Sequence, residues 1–218
     1  MTINLCFHGI GSCEREREPG ESAYWISPDF FGQVLDLVAG RPDVRLSFDD
    51  GNQSDVAHAL PALLERGLTA TFFVVAGRIG VPGSLSSSDL RRLVSAGMTL
   101  GSHGMNHRPW PGLDDAALDL ELVVARQVIS EESGQWVTRA ACPLGRYDRR
   151  VLARLRRCGY EWVGTSDRRP ARENDWLQPR FSIRVQDSIA SLEHGVLRTP
   201  PPGRRLLQTT AGVLKRSL

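Results

Sequence analysis

The sequence predicts an α/β protein with a mainly parallel sheet, because short apolar segments alternate with amphipathic helical patterns along most of the chain. Two further observations favour one barrel-like domain over residues 1–218. The chain of 218 residues is long enough for one α/β barrel, and no internal repeat or linker interrupts it. Residues of catalytic type follow several apolar segments, as expected at the carboxyl ends of barrel strands.

The strands are predicted from short segments rich in β-branched and aromatic residues. Ala70 to Val75, Ala-Thr-Phe-Phe-Val-Val, is typical of a strand buried on both faces. The predicted strands cover residues 3–7, 44–48, 70–75, 98–102, 140–143, 162–165 and 180–185.

The helices are predicted from apolar periodicity and from capping residues. Ser27 precedes Pro28 at the start of one helix, Ser86 and Asp89 open another, and Asp148 opens a third. The predicted helices cover residues 28–38, 55–66, 86–97, 114–132 and 148–159, with a last short helix after a proline-rich break at 199–203.

Composition excludes several classes of function. Hydrophobic and charged contents of 41% and 24% are ordinary for a globular protein, and a net charge of +2 does not point to nucleic acid or to an anionic membrane. The sequence contains no run of ~18 apolar residues, so it predicts no transmembrane helix. The first residues lack the pattern of a secretory signal, and the 4 cysteines form no CxxC pair. We therefore expect a cytoplasmic protein with reduced thiols.

Two segments point to chemistry: Leu46-Ser47-Phe48-Asp49-Asp50-Gly51, and Gly101-Ser102-His103-Gly104-Met105-Asn106-His107. One carboxylate and two histidines are a familiar ligand set for a catalytic divalent metal with an open coordination position. The second carboxylate would then be free to act as a base. Either segment alone would fit an ordinary turn or loop; together they predict a metal site.

The same segments carry a resemblance to a known family. Ser47-Phe48-Asp49-Asp50-Gly51 resembles the first motif of the polysaccharide deacetylase (NodB-homology) family, carbohydrate esterase family 4. His103-Gly104-Met105-Asn106-His107 resembles its HxxxH motif, and Cys142-Pro143-Leu144-Gly145-Arg146-Tyr147-Asp148 resembles its third motif. The likeness runs in the correct order from about Leu5 to Ile183.

The resemblance implies a distorted (β/α) barrel that removes acetyl groups from N-acetylated sugars. It implies that Asp50, His103 and His107 bind Zn²⁺, or Co²⁺ or Ni²⁺ in its place, and that Asp49 is the general base. The segment Pro143-Leu144-Gly145 would contact substrate, with the backbone N–H of Leu144 stabilising the oxyanion.

Three departures from the family pattern are visible. The arginine that orients the base would fall at Ala141, and Arg180 is the candidate replacement. The acidic residue beside tryptophan is matched loosely by Asp175 and Trp176. Asp175 would keep the imidazole of the general acid charged, and Trp176 would form one wall of an acetyl pocket. The C-terminal Leu-x-His motif is absent, since Leu197-Arg198-Thr199 has no histidine.

Some family members instead place a histidine after the N-terminal strand. Leu5-Cys6-Phe7-His8-Gly9 resembles that arrangement, and first and last strands are neighbours in a closed barrel, so His8 is the candidate general acid. A lone histidine at a strand end is more often structural. His58 and His194 have no supporting context and are interpreted as surface residues.

Other functions remain open at this point. One is hydrolysis of another C–N bond, such as a formamide or a cyclic ureide, in the same fold. Another is carbohydrate binding with little catalysis, although the pair Asp49-Asp50 favours an enzyme. The expected partner is a sugar-containing small molecule or glycoconjugate. The sequence does not indicate whether the protein is a monomer or an oligomer.

Overall fold

The structure, a computed structural model, describes residues 1–198. Its centre is an eight-stranded sheet in which every paired strand is parallel, in the order β10-β1-β4-β5-β6-β7-β8-β9. A parallel pair, β2 and β3, lies beside it. The strands are β1 Ile3–Phe7, β2 Gly9–Ile10, β3 Trp25–Ile26, β4 Val44–Asp50, β5 Ala70–Val74, β6 Thr99–Ser102, β7 Arg139–Ala141, β8 Trp162–Thr165, β9 Leu177–Pro179 and β10 Phe181–Ser182.

Arg180 marks the place where the sheet almost closes into a barrel. On one side of it, β9 pairs with β8; on the other, β10 pairs with β1. The backbone N–H of Ile183 extends the second contact by donating to the carbonyl of Cys6 at 2.8 Å. The continuous segment of β9, Arg180 and β10 therefore joins both edges of the sheet. The predicted distorted (β/α) barrel, with its first and last strands adjacent, is confirmed.

Helices connect most of the strands, and their first turns follow the predicted capping. Ser27 Oγ accepts from the backbone N–H of Phe30 at 3.1 Å, and Asp148 Oδ1 accepts from that of Val151 at 2.7 Å. Ser86 and Asp89 form a reciprocal capping box. The helices are α1 Pro28–Val38, α2 Leu60–Glu65, α3 Ser87–Ser95, α4 Asp115–Asp119, α5 Ala125–Ser133, α6 Arg149–Arg157 and α7 Ile189–Ser191.

Some boundaries differ from the predicted ones. The predicted helices at 55–66 and 114–132 each contain a π-helical turn, at Asp55–Ala59 and Leu120–Val124. The helical segment from α7 through Leu192–Val196 and the β2–β3 pair were not predicted. The predicted last helix lies outside the described residues.

Strand β4 continues two residues beyond its predicted end, because Asp49 and Asp50 pair with Phe73 and Val74 of β5. Side chains alternate along it, so Phe48 packs between the rings of Phe7 and Phe72 at 5.2 and 4.6 Å, on the side covered by α1. Asp49 therefore points to the barrel interior. No helix in the described part of the chain is long and apolar enough to span a membrane.

Candidate active site

A cavity of about 430 Å³ opens at the carboxyl ends of the barrel strands. We call this end the mouth of the barrel. Residues from seven of the eight strand ends or the loops beyond them line it, as the fold class predicts. They are His8, Glu18, Pro19, Gly20, Glu21, Tyr24, Asp49, Asp50, Arg78, His103, His107, Cys142, Leu144, Arg146, Ser166, Arg168, Ser182 and Arg184.

Three of these side chains form a compact donor set. One ligand atom each from Asp50, His103 and His107 lies within 4.8 Å of the others. Asp50 Oδ1 is 3.2 Å from His107 Nε2 and 3.6 Å from His103 Nε2, yet it is buried and makes no hydrogen bond among the described residues. A buried carboxylate oxygen without a hydrogen bond and two imidazole nitrogens facing it fit a divalent cation.

Partners on the far side of each imidazole fix the two rings. His103 Nδ1 lies 2.9 Å from the carbonyl of Ala141, and His107 Nδ1 lies 2.5 Å from Glu18 Oε1. Both rings are thereby turned so that Nε2 faces Asp50, the arrangement usual for metal-binding histidines. Burial lowers the pKa of His103 to about 4, which keeps this imidazole in the neutral form that a metal requires.

Asp49 and Arg180 form a buried two-point ion pair. The guanidinium donates to both carboxylate oxygens, at 2.6 and 2.7 Å, and both side chains are almost fully buried. Burial alone would raise the pKa of Asp49, but the charge of Arg180, helped by His103, outweighs it and holds that pKa well below its usual range. Asp49 is therefore ionised at neutral pH and fixed in orientation.

Arg180 reaches Asp49 because β8 leaves space for it. A Cβ atom on Gly164 would lie 2.7 Å from Arg180 Nε, so a larger residue there would displace the guanidinium. Ser47 Oγ, on the same strand as Asp49, also accepts from Arg180 at 3.2 Å. Arg180 thus contacts Asp49 directly, and its role as the replacement for the arginine missing at Ala141 stays a prediction.

His8 lies beside Asp49, at the mouth. A ring nitrogen of His8, a carboxylate oxygen of Asp49 and the sulfur of Cys6 lie within 4.8 Å of one another. The His8 ring contacts the ring of Tyr24 at 4.7 Å between centroids and an interplanar angle of 37°, and its Nδ1 has no hydrogen-bond partner among the described residues. The structure therefore brings His8 to the cavity, outside the three-residue donor set; its role as acid stays a prediction.

The segment Pro143-Leu144-Gly145 forms the edge of the cavity next to β7. Leu144 is 55% exposed and lines the cavity, whereas Pro143 and Gly145 are buried beneath it. In the described part of the chain four residues other than glycine have a positive φ, and all four line the cavity: Asp50, His107, Leu144 and Arg168. Such conformations cost energy, and they cluster where function needs a fixed side chain.

Asp175 and Trp176 do not reach the site, and this part of the prediction is wrong. They directly precede β9, and the carbonyl of Trp176 accepts from the backbone N–H of Val163 near the start of β8. In a parallel sheet that is the amino end of the strands, opposite the mouth. Trp176 instead donates to the carbonyl of Tyr160 at 2.6 Å and carries Arg156 on its ring.

Sequence reasoning missed two carboxylates that support the donor set. Glu18 bonds both His107 and Arg78 from a loop with no recognisable motif. Glu121 is fully buried and accepts from the backbone N–H of Met105 at 2.7 Å and from Asn106 Nδ2 at 3.0 Å, which fixes the loop carrying His107. A carboxylate on the inward face of an amphipathic helix was the available signal for Glu121.

A third carboxyl group, Asp55, was also missed. It is fully buried, and neither oxygen has a hydrogen-bond partner among the described residues. Burial, and then the negative charges of Asp50 and Asp49, raise its pKa well above the usual value. Asp55 therefore adds an ionisable group beside the site without a paired cation.

The chain is similar in sequence to curated proteins that are named as deacetylases. The curated relatives include a putative polysaccharide deacetylase, YxkH, of Bacillus subtilis (24% identical over 152 residues, 70% of this chain) and a chitooligosaccharide deacetylase of Rhizobium leguminosarum bv. trifolii (28% over 162 residues, 73% of this chain and 72% of the relative). The chain spans 54% of the length of YxkH.

The fold has solved counterparts. The deacetylase PplD of Streptococcus pyogenes, determined in complex with acetate, superposes with a TM-score of 0.76 at 21% identity, over 91% of this chain and 98% of PplD. The sequence model of the polysaccharide deacetylase family matches residues 38–163, which include Asp49, Asp50, His103 and His107. The chain belongs to the polysaccharide deacetylase family.

Proposed function

We propose that the protein is a metal-dependent de-N-acetylase that hydrolyses the acetamide of an N-acetylated sugar or glycoconjugate. The observation that carries the proposal is the pair Asp49–Arg180 beside the donor set of Asp50, His103 and His107. The first group is suited to accept a proton and the second to bind a cation, and hydrolysis of an amide needs both. The names of the relatives support the substrate class.

We propose that Asp50, His103 and His107 hold the divalent ion, Zn²⁺ first and Co²⁺ or Ni²⁺ as substitutes. A bound ion there would polarise the acetyl carbonyl and acidify a water molecule. The buried oxygen of Asp50 without a hydrogen bond supports this assignment. Glu18 and the Ala141 carbonyl keep the imidazoles oriented for it.

Asp49 is the proposed general base. Its carboxylate accepts the proton of the attacking water, and Arg180 keeps it both ionised and aimed. Arg180 is the proposed positioning residue, since it is fully buried, does not line the cavity and acts through Asp49.

His8 is the proposed general acid, because an amine leaves poorly unless it is protonated. Its ring lies close to Asp49 at the mouth, outside the donor set, where it can reach a leaving nitrogen. The segment Pro143-Leu144-Gly145 would hold the acetyl group, with the N–H of Leu144 donating to the oxyanion. Cytoplasmic localisation stays a prediction that rests on cysteine usage; all four cysteines are free.

Acetate release tests the proposed function. The chelated protein should release no acetate from a chitooligosaccharide, and added Zn²⁺ should restore release. A formamido sugar and a cyclic ureide, assayed in parallel, test the other C–N substrates. Zn²⁺-restored cleavage of either of these without acetate release would contradict de-N-acetylation, and binding of the oligosaccharide without any turnover would indicate a carbohydrate-binding protein.

A further inference from the structure

The cavity has two chemically different halves. Strands β1, β4 and β6 contribute His8, the two aspartates and the two metal-facing histidines. The neighbouring strands β7, β8 and β10 instead end in segments that contribute three arginines, Arg146, Arg168 and Arg184, which we call the arginine rim. None of the residues proposed for hydrolysis uses these three guanidinium groups.

No guanidinium group of the arginine rim forms an ion pair within residues 1–198. None of the three guanidinium groups lies within 4.0 Å of a carboxylate oxygen there, although the backbone N–H of Arg184 donates to Asp187 Oδ2 at 2.9 Å. Four carboxylates line the same cavity, but Glu18 is paired with Arg78 and Asp49 with Arg180, and Asp50 belongs to the donor set. Of the carboxylates that line the cavity, Glu21 alone is left to offset three guanidinium groups, and Asp187 lies at the backbone of Arg184, so positive charge is in excess in this half of the cavity.

Two of the arginines are held in place. Arg168 has a left-handed backbone (φ 49°), its N–H donates to the Arg180 carbonyl at 3.0 Å, and its Nη1 donates to the Ser182 carbonyl at 2.7 Å. Arg184 lies over the ring of Tyr24 at 5.0 Å and donates to its hydroxyl at 3.0 Å. Preorganised guanidinium groups lose less entropy when they bind an anion.

The same Tyr24 ring also contacts the ring of His8, at an interplanar angle of 37°. Tyr24 thus contacts both Arg184 and His8, and links the arginine rim to the hydrolytic half. A substrate whose acetamide lies beside His8 and Asp49 would have the arginine rim within reach of its remaining substituents, because both groups line one cavity.

We infer that the acetamido sugar bound by this cavity carries a phosphate group, which the arginine rim binds. This inference rests on the proposed function, and it narrows the substrate class from neutral N-acetylated sugars to phosphorylated ones. Phosphate matches the rim because its several oxygens accept charge-assisted hydrogen bonds from more than one guanidinium.

Substrate comparison is the first test. Acetate release by the Zn²⁺-loaded protein is measured with N-acetylglucosamine 1-phosphate, its neutral methyl glycoside and N-acetylmuramic acid, which carries a carboxylate. We expect kcat/KM to be at least about tenfold higher for the phosphorylated probe than for the neutral one, as expected for one charge-assisted hydrogen bond. Equal values, or a preference for N-acetylmuramic acid, would overturn the inference and leave the proposed function standing.

Variants connect that preference to the arginine rim. Arg146→Gln and Arg168→Gln change exposed side chains, and each should lower the ratio of kcat/KM values between phosphorylated and neutral probes. Arg92→Gln is the matched control, since Arg92 is exposed on α3 and does not line the cavity. An unchanged ratio in both rim variants would contradict the assignment.

Binding separates this inference from the proposed function. Calorimetric titration of the chelated protein with glucosamine 1-phosphate needs neither a metal nor an acetyl group. Wild-type protein should bind it at least about fivefold more tightly than Arg168→Gln does, a loss within the range of one hydrogen bond to a charged group. Absence of acetate release from every probe would refute the proposed function alone, whereas equal binding by the two proteins would refute the arginine rim.

Discussion

The two ends of the barrel are built differently. At the mouth, four of the described residues other than glycine adopt a left-handed backbone, and carboxylates crowd together; Asp50 Oδ1 and both oxygens of Asp55 have no hydrogen-bond partner within residues 1–198. At the opposite end Trp176 donates to Tyr160, and Asn4 donates to Gln178 and to the Pro179 carbonyl inside the barrel, although Asn4 Oδ1 and Trp162 Nε1 have no partner among the described residues. The comparison teaches that strained backbone and crowded carboxylates are concentrated at the mouth, where the candidate site lies. Substitutions at the mouth should therefore remove activity, and substitutions at the opposite end should remove stability.

The largest effect is expected from the proposed metal ligands. Asp50→Ala and His107→Ala should each abolish stoichiometric binding of Zn²⁺ and, with it, acetate release, because three protein ligands leave no redundancy. Equilibrium dialysis with metal analysis measures the binding. His194→Ala, at an exposed histidine, should bind one ion as the wild type does. Retention of stoichiometric metal by both ligand variants would show that the donor set is assigned incorrectly.

Loss of the proposed base should separate chemistry from metal binding. Asp49→Asn should bind one Zn²⁺ and lose turnover by about 10²–10⁴-fold, since an amide accepts no proton. The readouts are kcat for acetate release and metal content of the same preparation. The role of Asp49 would be refuted by a near-native kcat.

His8→Ala should distinguish substrates by their leaving groups. Turnover of an acetamide should fall by about 10²-fold or more, whereas an activated acetate ester should lose less, because its leaving group departs without a proton. The measurement is the ratio of kcat values for the amide and the ester, with metal content as control. An equal loss on both substrates would sink the acid role and leave His8 as a structural residue.

Trp176→Phe tests the opposite end. It removes the hydrogen bond to Tyr160 and weakens the stacking of Arg156, so the free energy of unfolding should fall by about 1–2 kcal/mol. Urea denaturation measures this loss, and kcat should stay unchanged. A substantial loss of kcat in the folded variant would place Trp176 back in the acetyl pocket.

The smallest effect concerns pH and Asp55. Its folded-state pKa is raised, so the folded protein holds a proton that the unfolded chain releases above about pH 4, and stability is lost as pH rises from there through the folded-state pKa. Asp55→Asn cannot titrate. In chelated protein, the free energy of unfolding should therefore fall less between pH 5 and pH 8 in Asp55→Asn than in wild type.

Asp29→Asn, at an exposed carboxylate in the first turn of α1, is the control for that comparison. It should follow the wild-type pH profile. If Asp55→Asn follows it too, the carboxyl group of Asp55 is not the cause of the pH dependence.

Local pattern was enough for much of the fold. The strands at 3–7 and 162–165, the helix at 28–38 and its Ser27 cap form as predicted, because periodicity and capping depend on residues close in sequence. The three motifs fall at strand ends for the same reason. Asp175 and Trp176 lie away from the site because they directly precede β9, and residues before a parallel strand lie at the amino end of the sheet; a motif likeness does not contain this strand direction.

The sequence by itself determined most strands of the main sheet, most helix starts and the candidate residues Asp49, Asp50, His103 and His107, but not β2, β3 or β9. The sequence named Arg180 as a candidate, but only the tertiary structure placed it on Asp49, 131 positions away, and brought Glu18 to His107, 89 positions away. It also decided that Arg146, Arg168 and Arg184 share one side of the mouth. The physical reason is that such pairings depend on how the barrel closes, which brings the first and last strands together and is set by contacts across the whole sheet.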